Sequence, residues 1–249
     1  HFTLPMMVGS FLQQCYNIAD TLIVGQCIGA GALAAVGSAY TLMVFLISVL
    51  LGLAMGSGTV FSLHYGAGNH VALRRSIFSS FALIGIVTLI LNVVVFIWLD
   101  PILRLLQVPQ DIYGMMRSYL WIIFCGIVFT FIYNFYASLL RAVGDSVTPI
   151  WFLAVSVVLN IALDLFFILQ LDWGIQGAAA ATVLAQGVAA LGIIIYTYRR
   201  RPELRWHHED MCFDRTCLKE IASFSTLTCV QQSVMNLGIL MVQGLVNSF

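Results

Sequence analysis

Seven stretches of the chain are apolar almost without interruption: residues 4–28, 36–63, 76–99, 119–140, 150–169, 177–198 and 221 to the end. Crossing a hydrocarbon layer about 30 Å thick takes about 20 residues of α-helix. Each stretch is long enough. Barrel strands would be about 10 residues long with alternating polarity, which this pattern lacks, so the spans are predicted to be helices. The third connection, 100–117, places Ile102, Leu103, Leu105 and Leu106 beside Arg104, which predicts a short helix lying in the interface. The sixth, 199–220, is the one sizeable polar segment and reads as a solvated linker.

Composition sharpens this picture. The chain has 249 residues, 61% hydrophobic and only 9% charged. A soluble domain carries about 25% charged residues, so lipid is the expected solvent. A net charge of zero argues against a nucleic-acid partner. Six scattered cysteines, most inside apolar runs, form no disulfide framework. His207, His208, Cys212 and Cys217 in the sixth connection match no common zinc spacing. Basic residues concentrate in the second, fourth and sixth connections, whereas the first, third and fifth hold only Arg104 and Arg117. The positive-inside rule therefore predicts a cytoplasmic N-terminus.

The polar linker separates two related segments. Residues 231–236 (QQSVMN) resemble residues 13–17 (QQCYN) at an offset of 218 to 219 residues, with Asn236 on Asn17 and Gly244 on Gly25. The second copy has Gly238 and no acid at the level of Asp20. A repeat of that size predicts two homologous six-helix halves. Starting at His1 within one apolar run and stopping at Phe249 within another, the sequence is expected to be a piece of a longer protein. The expected division is 1–198 as an N-terminal six-helix lobe, 199–220 as a cytoplasmic inter-lobe linker, and 221–249 as the first helix of the second lobe.

Only two charged side chains, Asp20 and Asp164, lie within the spans. A lone acid at the bilayer centre costs about 2.5–3.5 kcal/mol, so each needs a compensating reason. Asp20 lies roughly 24 Å into the first span, and Asp164 roughly 21 Å into the fifth. Thr182 on the returning sixth span falls at roughly 22 Å, in the same layer. Asn160 precedes Asp164 by one turn, and Asn17, Tyr16 and Gln13 share a helix face with Asp20. Carboxylates in amide and hydroxyl company suit a site that exchanges a proton, or one that binds sodium, a hard cation favouring oxygen ligands.

Other polar and small residues have plainer readings. Asn92 and Gln186 read as hydrogen-bonding glue between helices, and Gly52, Gly56, Gly58 and the run 174–181 as close helix packing. Pro5 is either a bending point of the first span or a proline in a first turn, where it costs nothing. Tyr133, Asn134 and Tyr136 either line a cavity or form a packed polar seam. No Gly-rich phosphate loop, zinc helix motif or nucleophile elbow is present, so no enzymatic activity and no cofactor are expected.

Residues 16–25 (YNIADTLIVG) with 32–35 (ALAA) resemble the first-helix signature of the MATE (multidrug and toxic compound extrusion) transporters. Residues 140–149 (LRAVGDSVTP) resemble that family's fourth-connection motif, and 160–164 (NIALD) with 174–182 (GIQGAAAAT) its fifth and sixth helices. The resemblance implies an all-α polytopic protein of two six-helix lobes that exchanges organic, often cationic, compounds for H+ or Na+. It implies a cation site at Asp20, Asn160, Asp164 and Thr182, with Gln13 and Tyr16 nearby and Pro5 at a bend. Asn17, Tyr133 and Asn134 join these as candidate cavity residues. The expected setting is a bacterial inner membrane, with small drug-like substrates and a monomeric full-length protein. Two rivals are a lipid-linked oligosaccharide flippase, whose cavity should carry Arg and Lys, and a seven-helix receptor, whose N-terminus would lie outside.

Overall fold

A computed structural model of the chain describes residues 3–105, 108–206 and 215–246. Eight α-helices account for nearly all of them: α1 (Thr3–Cys27), α2 (Ala30–Gly66), α3 (His70–Leu105), α4 (Gln110–Cys125), α5 (Ile127–Ala142), α6 (Val147–Leu165), α7 (Gly174–Arg200) and α8 (Arg215–Val246). The turns between them are built by local chemistry. Gly29 and Gly68 adopt φ of 116° and 68°, a region other residues avoid. Asn69 then accepts the backbone N–H of Ala72 at 3.1 Å and so caps α3. The last turn of the fifth span widens into a π-helix at Phe166–Gln170.

Among the described residues, four helices are long and apolar enough to cross a membrane, or five when the bent pair α4 and α5 counts as one span. Five of the seven expected spans meet this criterion. α1 and α8 form as helices of 25 and 32 residues, but α1 is diluted by Gln13, Gln14, Asn17 and Asp20, and α8 by Lys219, Glu220 and several Ser, Thr and Gln. Many apolar side chains on the bundle's outside, among them Ile97, Trp98, Trp151 and Val158, are exposed, as expected of a lipid-facing surface.

Three expectations need correction. Among the described residues the third connection holds no separate interfacial helix: α3 continues through Pro101 to Leu105, Leu103 is fully buried, and α4 begins by Gln110. Pro101 lacks the N–H that would bond to the Ile97 carbonyl, so the helix passes it with one hydrogen bond fewer. The fourth span is not one straight rod from residue 119. It starts nine residues earlier and breaks at Gly126 with a 47° bend. The described parts of the sixth connection are folded. α7 runs to Arg200, Pro202–Leu204 form a 3-10 turn, Leu204 is buried, and Trp206 packs on Phe81 at 5.2 Å. His207, His208 and Cys212 lie outside the described residues, whereas Cys217 is buried at the start of α8.

α2 is the hub, touching α1, α3, α4, α5 and α8, while α1 leans on α6 and α6 on α7. The contact with α8 is very close. A Cβ on Gly52 would lie 2.8 Å from the Cys229 Cα, and one on Gly56 2.6 Å from the Ser225 backbone nitrogen. The Ser225 hydroxyl donates to the Leu53 carbonyl at 3.3 Å, and the Cys229 thiol to that of Val49 at 3.4 Å. Gly52 and Gly56 thus act as the close-packing residues their spacing predicts.

Asp145, in the turn before α6, gathers three elements. It accepts the backbone N–H and hydroxyl of Thr148 at 3.1 and 2.8 Å and the Tyr196 hydroxyl at 3.3 Å. The Arg201 guanidinium stands 3.9 Å away. Asp145→Ala should cost about 1–2 kcal/mol, the loss of a helix cap. A fall of the melting midpoint of the solubilised protein by several degrees checks this.

Candidate functional site

The two intramembrane acids meet. Asp164 is fully buried on α6, and Asp20 on α1 is 8% exposed. Their carboxyl groups lie within hydrogen-bonding reach of each other. Two ionised carboxylates repel at such range, and a proton or a cation between them would relieve that repulsion. Oδ1 of Asp20 and Oδ1 of Asp164 are both buried without a hydrogen-bond donor. A buried acceptor left in that state costs about 1–3 kcal/mol, more when charged. A bound cation would satisfy both.

The surrounding groups come from α1, α6 and α7. The Tyr16 hydroxyl donates to Thr182 Oγ1 at 3.2 Å, joining α1 to α7. Asn160 is fully buried one turn before Asp164. In the amide orientation that satisfies both its ends, its nitrogen donates to Asp164 Oδ2 at 3.0 Å, and its oxygen accepts the Thr182 backbone N–H at 3.2 Å. In the opposite orientation the nitrogen reaches only the Thr182 hydroxyl, at 3.3 Å. The first therefore describes the site. The two carboxylates and the Tyr16 and Thr182 hydroxyls supply oxygen atoms, while the Asn160 amide steadies Asp164 by donating to it; such a set fits a proton or a hard monovalent cation. Among the described residues no group of three or more His, Cys, Asp or Glu forms a metal site. Tyr16→Phe removes one hydrogen bond between α1 and α7, worth about 1 kcal/mol, and should lower the melting midpoint of the solubilised protein by about 2–4 °C.

The other candidates divide. Asn17 is half-buried on α1, its carbonyl accepting the Thr21 hydroxyl at 2.7 Å, while Gln13 is exposed. Pro5 lies in the first turn of α1, where a proline breaks no helical bond. Tyr133 and Asn134 do not join the acids. The Tyr133 hydroxyl donates to the Pro149 carbonyl at 2.8 Å, and the Asn134 amide to the Thr130 carbonyl at 2.8 Å. Both side chains are thereby partnered within the bundle.

Tyr119 does not stand out by its position in the sequence. It is buried on α4, within electrostatic reach of Asp20, Tyr16 and Asp164. A fourth span starting at residue 119 would put this tyrosine at the membrane edge. With α4 beginning at Gln110, it lies about 14 Å inside the helix. The apolar positions Ile112, Met115, Met116, Tyr119, Leu120 and Ile123 carry the helical period that marks this earlier start.

Known proteins share this architecture. The family model described as MatE matches residues 5–166. The chain is 35% identical over 200 residues to the probable multidrug resistance protein YpnP of Bacillus subtilis (strain 168), a match covering 80% of this chain and 45% of the relative. It is 30% identical over 200 residues to the multidrug export protein MepA of Staphylococcus aureus (strain NCTC 8325 / PS 47), covering 79% and 44%. The chain thus spans about half the length of the curated relatives it matches. A solved outward-facing multidrug resistance MATE transporter superposes with a TM-score of 0.89 at 25% identity, over 96% of this chain and 53% of that one. An inward-facing one gives 0.83 at 23% identity, over 93% and 54%, which speaks for the fold alone. With its apolar helices, its acid-bearing first helix and a match over most of its length, the chain belongs to the MatE family of membrane transporters.

Proposed function

We propose that this chain is the N-terminal part of a cation-coupled multidrug antiporter: residues 1–198 form the first lobe, 199–220 the connection, and 221–249 the first helix of a second lobe. The observation that carries the reading is the Asp20–Asp164 pair with its two donorless oxygens. Neutralised by H+ or Na+, the acids hold α1 against α6 and α7. Without the cation their repulsion drives α1 away, helped by the low apolarity of that helix. Organic, often cationic, substrates compete with the coupling ion through this equilibrium, and the coupling is reciprocal by thermodynamic necessity. The relatives described as multidrug resistance and export proteins support the substrate class. The setting is a bacterial inner membrane with the N-terminus in the cytoplasm, a placement supported by the basic residues of the second, fourth and sixth connections. Among the described residues, no Lys or Arg joins the groups around the acids, which disfavours a pyrophosphate-linked lipid as cargo.

The test is efflux of a cationic dye by the full-length protein in inverted vesicles under an imposed H+ or Na+ gradient. Gradient-driven efflux that disappears in Asp20→Asn and Asp164→Asn supports the reading, and unchanged efflux in both overturns it.

A further inference from the structure

The fourth span breaks where the acid site can act on it. The 47° bend lies between α4 and α5 at Gly126, and three contacts converge there. A Cβ on Gly126 would lie 2.7 Å from Val183 Cγ1 and 3.0 Å from Val183 Cβ, so α7 is pressed into the break. Before the break, the Asn92 amide donates to the Phe124 carbonyl at 2.8 Å, satisfying a backbone group freed by the bend. After it, the Thr130 hydroxyl donates to Gln186 Oε1. Val183 follows Thr182 directly, and Gln186 lies one turn beyond it on the same helix face. Both α7 contacts with the break are therefore rigidly connected to a residue of the acid site.

A cavity sits at the same point. It measures about 20 Å³ and is lined in part by Phe124, Ile127, Thr130, Thr182, Val183 and Gln186. One water needs roughly 10–15 Å³ of this kind and two to four polar partners. The two threonine hydroxyls and the glutamine amide provide them. On the other arm of the bend, Tyr119 lies two turns before Gly126, buried and within electrostatic reach of the acids.

We infer that the break at Gly126 is a joint of the fourth span set by the acid site, through Val183, Gln186 and a single buried water held between Thr130, Thr182 and Gln186. A cation at the acids fixes Thr182. This seats Val183 and Gln186 against the break and holds α5 at its angle. Loss of the cation frees α7 to shift, and the bend changes with it. Thr130 and Gln186 are positioning residues in this scheme, acting through Thr182. The inference rests on the cation site proposed above.

The test uses the full-length transporter in vesicles and reads the cation concentration giving half-maximal exchange separately from the maximal rate. Gln186→Leu and Thr130→Val should each raise that midpoint by about fivefold to tenfold, as expected for one lost buried hydrogen bond. Gly126→Ala should raise it as well, and Gly126→Ala/Val183→Ala, which removes both Cγ contacts and leaves only the Cβ at 3.0 Å, should bring it most of the way back to the parent value. That rescue also decides the matter if Gln186→Leu fails to fold. A change confined to the maximal rate, or a double variant no better than Gly126→Ala, overturns the joint. Asp164→Asn separates the two ideas. If it leaves the cation response intact, the cation site itself is wrong. If it abolishes the response while Gln186→Leu and Gly126→Ala leave the midpoint in place, only the joint is wrong.

Discussion

Asp164→Asn in the full-length protein should lower cation-driven efflux by about two orders of magnitude or more, equivalent to about 2.7 kcal/mol, while the protein still folds. Asn is nearly isosteric with Asp, so the packing of α6 against α1 and α7 is retained. What disappears is the second carboxylate. One acid alone neither repels a neighbour when empty nor binds a cation between two charges. Asn160 loses a charged acceptor at 3.0 Å, yet an amide oxygen can take its place. The melting midpoint should therefore move by no more than a few degrees. Flux in inverted vesicles and melting of the solubilised protein are the two measurements. Full efflux with an unchanged gradient dependence would remove the acids from the mechanism. Collapse of the fold would instead make Asp164 a structural residue.

Gly56→Leu should separate α8 from α2. The obstacle at this position is backbone: a Cβ here would run into the Ser225 Cα and lie 2.6 Å from the Ser225 nitrogen. A flexible side chain could rotate away, but helix backbone cannot, so one helix must move as a body. Overpacking in a well-packed interior costs about 1–3 kcal/mol, and a backbone clash belongs at the upper end. The same displacement breaks the hydrogen bond from Ser225 to the Leu53 carbonyl and the His64–Glu220 contact at 3.6 Å. A fall in melting midpoint on the order of 10 °C is expected. Gly66 lies on the same helix, and a Cβ there would meet nothing within 4 Å. Gly66→Leu therefore serves as the control and should stay within about 0.5 kcal/mol. Equal behaviour of the two variants would refute the close α2–α8 seam.

Much of the arrangement is legible without coordinates because membrane burial imposes a cost that can be read along one dimension. An acid in an apolar run is conspicuous whatever surrounds it, and helical rise converts its position into a depth. That reasoning places Asp20, Asp164 and Thr182 in one layer, and in the fold Asp20 meets Asp164 while Thr182 lies against Asn160. Gly52 and Gly56 are legible for a similar reason, since small residues one turn apart mark a face that another helix can approach. Tyr119 is not legible in this way, because a tyrosine at the apparent end of a span looks like an interfacial residue. Its role depends on where α4 begins, and helix starts are poorly specified by hydropathy when the preceding turn is itself partly apolar.

The chain's own pattern determines that it is helical and lipid-embedded, that two acids are buried, and which small residues permit close approach. These follow from local quantities: hydropathy, the helical period and the cost of an unpaired charge. Only the tertiary structure decides that α8 lies on α2, that Trp206 holds part of the connection against the bundle, that Tyr133 spends its hydroxyl on Pro149, and that the fourth span bends at Gly126. Each of those is a contact between groups far apart in the chain. Gly126 illustrates the difference most directly. Glycine within an apolar span is common, and nothing next to it in sequence marks a break. What requires a glycine there is Val183, 57 residues later, which occupies the space that a side chain would need.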